Sequence, residues 1–241
     1  MAKFNDAWTV QPHGPVEEVD EGILTVAGEI VMPLGRFPRR MTVVRLADGG
    51  TAIWSAIPLA EPEMARIEAL GPPSFLVVPG VAHRLDVRAW KARYPAIRVL
   101  SAAGARDAVD EAVTVDEAGD VLDDPQVALE SVPGTGDREL SLRVDRAGGT
   151  TLLLNDVLAN VRHPNGFGAW AMARLFGFGV DGPRVPRPVI ARMVTDRTAL
   201  AGAFRGWADL PRLKRILVSH GDPIADTPAA ALLAAAAQLE R

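Results

Sequence analysis

The 241-residue chain contains no cysteine, which excludes a disulfide framework, a thiolate metal site and a cysteine nucleophile. Any metal ion must therefore be held by His, Asp or Glu, and histidine is itself scarce, standing only at positions 13, 83, 163 and 220. Long apolar runs are missing too: no window approaches the roughly 18 residues of a membrane-crossing helix. The start, MAKFNDAWTVQPHGP, lacks the basic region and apolar stretch of a secretory signal, so a cytoplasmic location is expected. There is no excess of positive charge. Lys and Arg total 26 against 30 Asp and Glu, a formal charge of −4, and neither nucleic acid nor a membrane is an expected partner. Two catalytic signatures are absent as well: there is no Gly-x-Ser-x-Gly elbow, and Pro133-Gly134-Thr135-Gly136 is not followed by the Lys-Ser or Lys-Thr of a phosphate-binding loop.

What is present is enough for a sizeable core, with 48% apolar and 23% charged residues, and disorder is excluded. Residues 23–31 are β-branched and read as a strand, followed by a loop, MPLGRFPRR, at 32–40. MTVVRL and TAIWSAI flank Ala47-Asp48-Gly49-Gly50 and predict a hairpin. EMARIEAL carries apolar residues at helical spacing and stops at Gly71-Pro72-Pro73. FLVVP at 75–79 is a strand buried on both faces, followed by a helix through Trp90 and a strand at 96–100.

The second half repeats this pattern. AVTV (112–115), VALESV (127–132), ELSLRV (139–144) and TTLLLND (150–156) predict short strands. Helices are expected at 166–178 and 189–209, then a strand in ILVSHGD (216–222) and an Ala-rich closing helix. One domain over 1–241 is the economical organisation, with 1–22 as an approach segment.

Three polar clusters directly follow apolar strands: Pro79-Gly80-Val81-Ala82-His83-Arg84-Leu85-Asp86, Asn155-Asp156 and Ser219-His220-Gly221-Asp222. Strand ends of a layered α/β protein share an edge where ligands bind. Two His, His83 and His220, and up to three Asp, Asp86, Asp156 and Asp222, are thus candidates to converge, and imidazole with carboxylate is the donor set a divalent ion takes where thiols are lacking. Asp86 and His163 are possible accessory groups, and Asp222 a possible acceptor orienting His220. His13 reads as an exposed residue of the approach segment. The Arg36-Phe37-Pro38-Arg39-Arg40 and Arg184-Val185-Pro186-Arg187 stretches are candidates to meet an anionic ligand, with solvated loop charge as the ordinary account.

These clusters in this order resemble the metallo-β-lactamase fold superfamily, specifically a bacterial branch with an eroded metal motif. The resemblance spans about residues 23–222 and implies a four-layer αβ/βα sandwich, two mixed sheets flanked by helices. It places Pro79 and Val81 where the first two His of a His-x-His-x-Asp-His motif would stand, His83 at its Asp and Arg84 at its last His, while Thr135 replaces the His of a Pro-Gly-His loop. Asp156 and His220 match by type. The implied chemistry is hydrolysis of an ester, amide, thioester or phosphoester by a metal-activated water. His83, Asp156 and His220 would hold one zinc, iron or manganese ion, and Asp156 would also stand near enough to accept a proton.

Arg84 argues the other way. Two unit charges about 4 Å apart repel by roughly 4 kcal/mol at an effective dielectric of about 20, so an inward Arg84 would displace an ion and pair with Asp156. That gives the expectation of a metal-free site and the rival function, a binding or scaffold protein of the same fold. The partner would then be an unknown small molecule, or a second copy docked on apolar helical surface at Trp170, Met172, Leu175 and Phe176, for which core packing is the ordinary account.

Overall fold

The computed structural model describes residues 4–32, 35–164 and 166–241, and they form two mixed β-sheets flanked by seven α-helices. The first sheet takes its strands in chain order: β1 (Glu17–Asp20), β2 (Ile23–Met32), β3 (Gly35–Arg45), β4 (Thr51–Trp54), β5 (Pro73–Val78), β6 (Arg98–Ser101) and β7 (Glu117–Ala118). Pairing is antiparallel up to β4 and parallel from β4 onward, because helices α1 (Glu61–Leu70) and α2 (Val87–Arg93) make the crossovers. The second sheet also runs in sequence, β8 (Val127–Ser131), β9 (Leu140–Arg146), β10 (Gly149–Leu154) and β11 (Leu213–Val218), with β10 and β11 parallel.

Alternation along the second sheet generates the layers. Leu153 and Leu217 join Met41, Leu76 and Leu142 in a core shared by the two sheets, which extends to Met64 and Ile67 of α1 and Trp90 of α2. Their neighbours Leu152, Leu154, Ile216 and Val218 face oppositely, onto α6 (Arg197–Ala208) and α7 (Pro228–Leu239). Helices, sheet, sheet, helices is the resulting order, the four-layer sandwich expected from the chain.

Several boundaries differ from the expectations. The expected loop 32–40 is largely strand, since β3 begins at Gly35; Pro33 and Leu34 of that loop lie outside the described residues. Pro38 is tolerated there because β4 pairs only with Thr42–Arg45, so the missing N–H falls on a side of β3 where no ladder runs. AVTV is not a strand: Asp110 accepts from Val115 N at 2.7 Å and holds the segment as a loop ahead of β7. A helix absent from the expectations, α3 (Arg106–Asp110), precedes it. Helix 166–178 is observed as α4 (Phe167–Phe176), closed by Gly177 in the left-handed conformation. Helix 189–209 is two helices, α5 (Arg187–Arg192) and α6, broken where Asp196 leaves helical geometry and caps Ala199 N at 2.9 Å. Part of the approach segment is β1, and His13 is half-buried rather than exposed, accepting from Ala60 N at 3.2 Å.

Candidate metal centre

The parallel pair β10 and β11 ends in register, Leu154 beside Val218, so the residues two positions on, Asp156 and His220, emerge as neighbours. The end of β5 meets the second sheet from the other side: Leu140 N donates to Pro79 O at 2.8 Å and Gly80 bridges Glu139. The turn after β5 then delivers His83 to the same point. His83 Nε2 lies 3.2 Å from His220 Nε2 and 3.4 Å from Asp156 Oδ1, and His220 Nε2 lies 3.0 Å from that same oxygen. The three side chains are 7%, 8% and 12% exposed for His83, His220 and Asp156.

Each imidazole is anchored through its other nitrogen. His220 Nδ1 is 2.9 Å from Pro38 O, and because a carbonyl only accepts, that nitrogen carries the proton. Its Nε2, in neutral imidazole, is then a lone pair facing a carboxylate oxygen. Two acceptors 3.0 Å apart require a positive charge, either a proton or a metal ion. His83 Nδ1 lies 2.7 Å from the Ser55 hydroxyl. Ser55 follows β4 with φ of +55°, an uncommon conformation for a side-chain-bearing residue, which aims the hydroxyl at the site.

The loop bearing His220 is tied to the length of β3 that β4 leaves unpaired. Arg40 N donates to Ser219 O at 2.8 Å, and the Arg40 guanidinium reaches Gly221 O at 3.2 and 3.4 Å. Gly221 has φ of +111°, and a Cβ there would stand 2.1 Å from Asn160 O, so only glycine lets the loop lie against the segment after Asp156.

Burial alone would raise the Asp156 carboxyl, but the adjacent His83 and His220 imidazoles outweigh it and hold the group well below the usual carboxylate range. Burial pushes the His83 imidazole below its ordinary value against the opposing pull of Asp156. Behind the site, Glu139 is fully buried, and its Oε1 accepts from Val157 N at 2.8 Å. Burial first, and the Asp156 charge second, raise Glu139 well above the ordinary carboxyl value, so it resists ionisation. Its Oε2 and both side-chain polar atoms of Asn155 have no partner among the described residues.

The accessory candidates fall elsewhere. Arg84 turns away from the cluster and donates to Ala108 O and, at 3.0 Å, to Glu111, so the expected Arg84–Asp156 pair is not formed and no guanidinium fills the site from that position. Asp86 lines the cleft but pairs with Arg39 and accepts from Asn5 at 2.7 Å; it is not in the donor cluster. Asp222 does not orient His220, since Pro38 O does; it pairs at 2.9 Å with His163, whose side chain is 84% exposed and outside the cluster.

Three residues of the site were not anticipated, Ser55, Arg39 and Glu139, and Asn155 stood in a strand-end cluster without a role of its own. Arg39 and Arg40, read as solvated loop charge, are both buried. The available signal was their place in a strand-compatible run beside Pro38, where period-two alternation buries one or both faces.

The cluster lies in a cleft of about 400 Å³ with largely apolar walls, among them Ile30, Phe37, Leu85, Phe178, Val189 and Met193. Arg39 and Arg192 are its cationic members. The three donor atoms fit an ion. Zinc bonds of about 2.0–2.1 Å in a tetrahedron put ligand atoms roughly 3.3–3.4 Å apart, against 3.0, 3.2 and 3.4 Å here.

No family model and no curated protein sequence matches the chain. Solved structures do. The chain is similar to the metallo-β-lactamase FIM-1 from Pseudomonas aeruginosa in its mono-zinc form, at 13% identity and TM-score 0.61, covering 96% of this chain and 98% of that one. It is similar to a metallo-β-lactamase from Erythrobacter litoralis at 14% identity and TM-score 0.62, over 92% and 96% of the two chains. TMB-1 gives 11% identity and TM-score 0.63 over 96% and 100%. With both sheets in this order, the flanking helices and near-complete mutual coverage, the protein has the metallo-β-lactamase fold.

Proposed function

We propose that the protein is a hydrolase of esters, amides, thioesters or phosphoesters that uses one divalent metal ion held by His83, Asp156 and His220. The observation that carries this reading is the convergence of His83 Nε2, His220 Nε2 and Asp156 Oδ1 within 3.0 to 3.4 Å of one another, with the His220 ring held from behind through Nδ1 by Pro38 O. Zinc is the ion this donor chemistry favours, with iron and manganese as alternatives. When bound, such an ion supplies Lewis-acid activation of water and polarisation of a carbonyl or phosphoryl oxygen.

The chain's own groups do the rest. Pro38 O and the Ser55 hydroxyl fix both rings so that Nε2 of each faces inward. Asp156 has a second carboxylate oxygen that would accept a hydrogen bond from a water at the centre and orient it. The apolar walls exclude bulk water, which strengthens every charge interaction at the centre. The outward turn of Arg84 favours this reading over the metal-free one, because the charge that would compete with a cation is directed to Glu111 instead.

The test begins with protein purified without added metal and analysed for bound elements, then stripped with chelator and titrated with zinc. About one equivalent should bind, raise the thermal transition and be required for turnover of at least one substrate in an ester, thioester, amide and phosphoester panel. His220→Ala should abolish uptake. Protein that carries no metal and takes up none, its transition unmoved by zinc, iron or manganese, would overturn the proposal.

A further inference from the structure

Charge is distributed unevenly along this acidic chain. Residues 162–192 hold five arginines and a single acid, Asp181, a local charge of +4 in a protein of −4. The same segment carries α4, whose ten residues, FGAWAMARLF, include one charge and no other polar side chain. Such a helix ordinarily lies inside a core. Here Trp170 is 40% exposed, Met172 41% and Leu175 59%, so core packing is not the account of this surface.

The exposed residues and the arginines share a face. Arg187 donates to Leu175 O at 3.1 Å, and Arg184 packs on Gly177 at the C-terminal end of α4. Gly35, at the start of β3, sits against Ala169, which brings Val31, 50% exposed, and its cross-strand partner Arg36 to the same side. Four of the six exposed large apolar residues among those described therefore gather here. The patch is continuous with the mouth of the cleft through Phe178 and Arg192.

We infer that this face docks the protein on an anionic phospholipid surface, with α4 seated at the level of the headgroups and the surrounding arginines on the lipid phosphates. Apolar side chains including Trp, framed by guanidinium groups and too short to span, make an interfacial element rather than a transmembrane one, and no helix of the described residues is long and apolar enough to cross. Charge complementarity selects this occupant over a second copy. Two such faces would set one excess of arginines against another, whereas each cation near an anionic membrane contributes roughly 1 kcal/mol, about fivefold in binding. The net charge of −4 argued against a membrane only because it averages this excursion with an acidic remainder. The inference is independent of the metal, and its test needs no turnover.

The full chain is mixed with phosphatidylcholine vesicles with and without phosphatidylglycerol and separated by flotation. It should float with the anionic vesicles alone and be released as added salt screens the attraction. Arg187→Glu, which reverses one exposed charge beside Leu175, changes the charge of the face by two and should weaken partition roughly 25-fold at low salt, and Leu175→Ser should weaken it at any salt. Leu233→Ser, at an exposed position on α7, should leave it unchanged, and matched thermal transitions show that all three variants fold. No flotation, or equal flotation with neutral vesicles, overturns the inference. So does sedimentation showing a dimer that Leu175→Ser dissociates, because the face is then covered by a second copy.

Discussion

Glu139 offers the sharpest test of the electrostatics behind the site. It is fully buried, Oε1 accepts from Val157 N at 2.8 Å, and burial together with Asp156 raises its pKa well above the ordinary value. The folded state therefore keeps a proton that the unfolded chain releases near pH 4.5, and over the interval between the two values it binds one proton more. Stability from this group is complete below the unfolded value and is lost as pH rises toward the folded one, at about 1.4 kcal/mol per pH unit. Glu139→Gln has no such titration but keeps the acceptor for Val157 N and nearly the same volume. Urea unfolding of both chelator-treated proteins across pH 4 to 8 measures the difference. Near pH 4 they should be alike. Above about pH 4.5 the wild type should fall relative to the variant with that slope, leaving Glu139→Gln the more stable at neutral pH. Parallel curves would refute the reasoning, since they require a carboxyl that ionises normally where it stands. Glu139→Ala separates shape from charge: it strands the Val157 N–H and opens a cavity, and should cost roughly 1–3 kcal/mol for the orphaned donor alone.

Arg39→Met leaves Asp86 buried without its partner and should lower the unfolding free energy by about 3–5 kcal/mol, read by urea denaturation. Asp156→Asn should abolish the zinc-induced rise in thermal transition; wild type at about a hundredfold excess over the dissociation constant should gain about 2.7 kcal/mol. Gly221→Ala places a Cβ 2.1 Å from Asn160 O at φ of +111° and should reduce both stability and zinc uptake, whereas an alanine tolerated there would contradict the close approach. Asp20, paired at 2.7 Å with Arg215, is pushed up by burial but brought net below its ordinary value by that arginine, so its contribution is present at neutral pH and lost as acid takes the pH below about 4. Asp20→Asn should flatten that acid limb, as followed by denaturation at pH 2 to 5.

The sequence by itself determined the order of the layers and the strand ends from which the converging His and Asp side chains emerge. FLVVP, TLLL and ILV are apolar runs long enough to commit locally to buried strands, and a polar residue just past such a run must surface at the sheet edge. That rule depends on neighbours a few positions away, so two His and up to three Asp could be placed along one edge without coordinates, and the resemblance to the metallo-β-lactamase superfamily narrowed them to His83, Asp156 and His220. The direction of a side chain depends on groups distant in the chain, and tertiary structure alone decided it. Arg84 turns outward because Ala108 O and Glu111 accept it there. Arg39 and Arg40 are buried because Asp86 and the Gly221 carbonyl neutralise or accept them from elements 47 and 181 residues away. Glu139 is pushed toward its neutral form because the fold buries it and places it beside Asp156. Helix α4 shows the same limit in reverse: its composition reads as core, and only the packing of its neighbours, which leaves Trp170, Met172 and Leu175 uncovered, turns that apolar stretch into a surface.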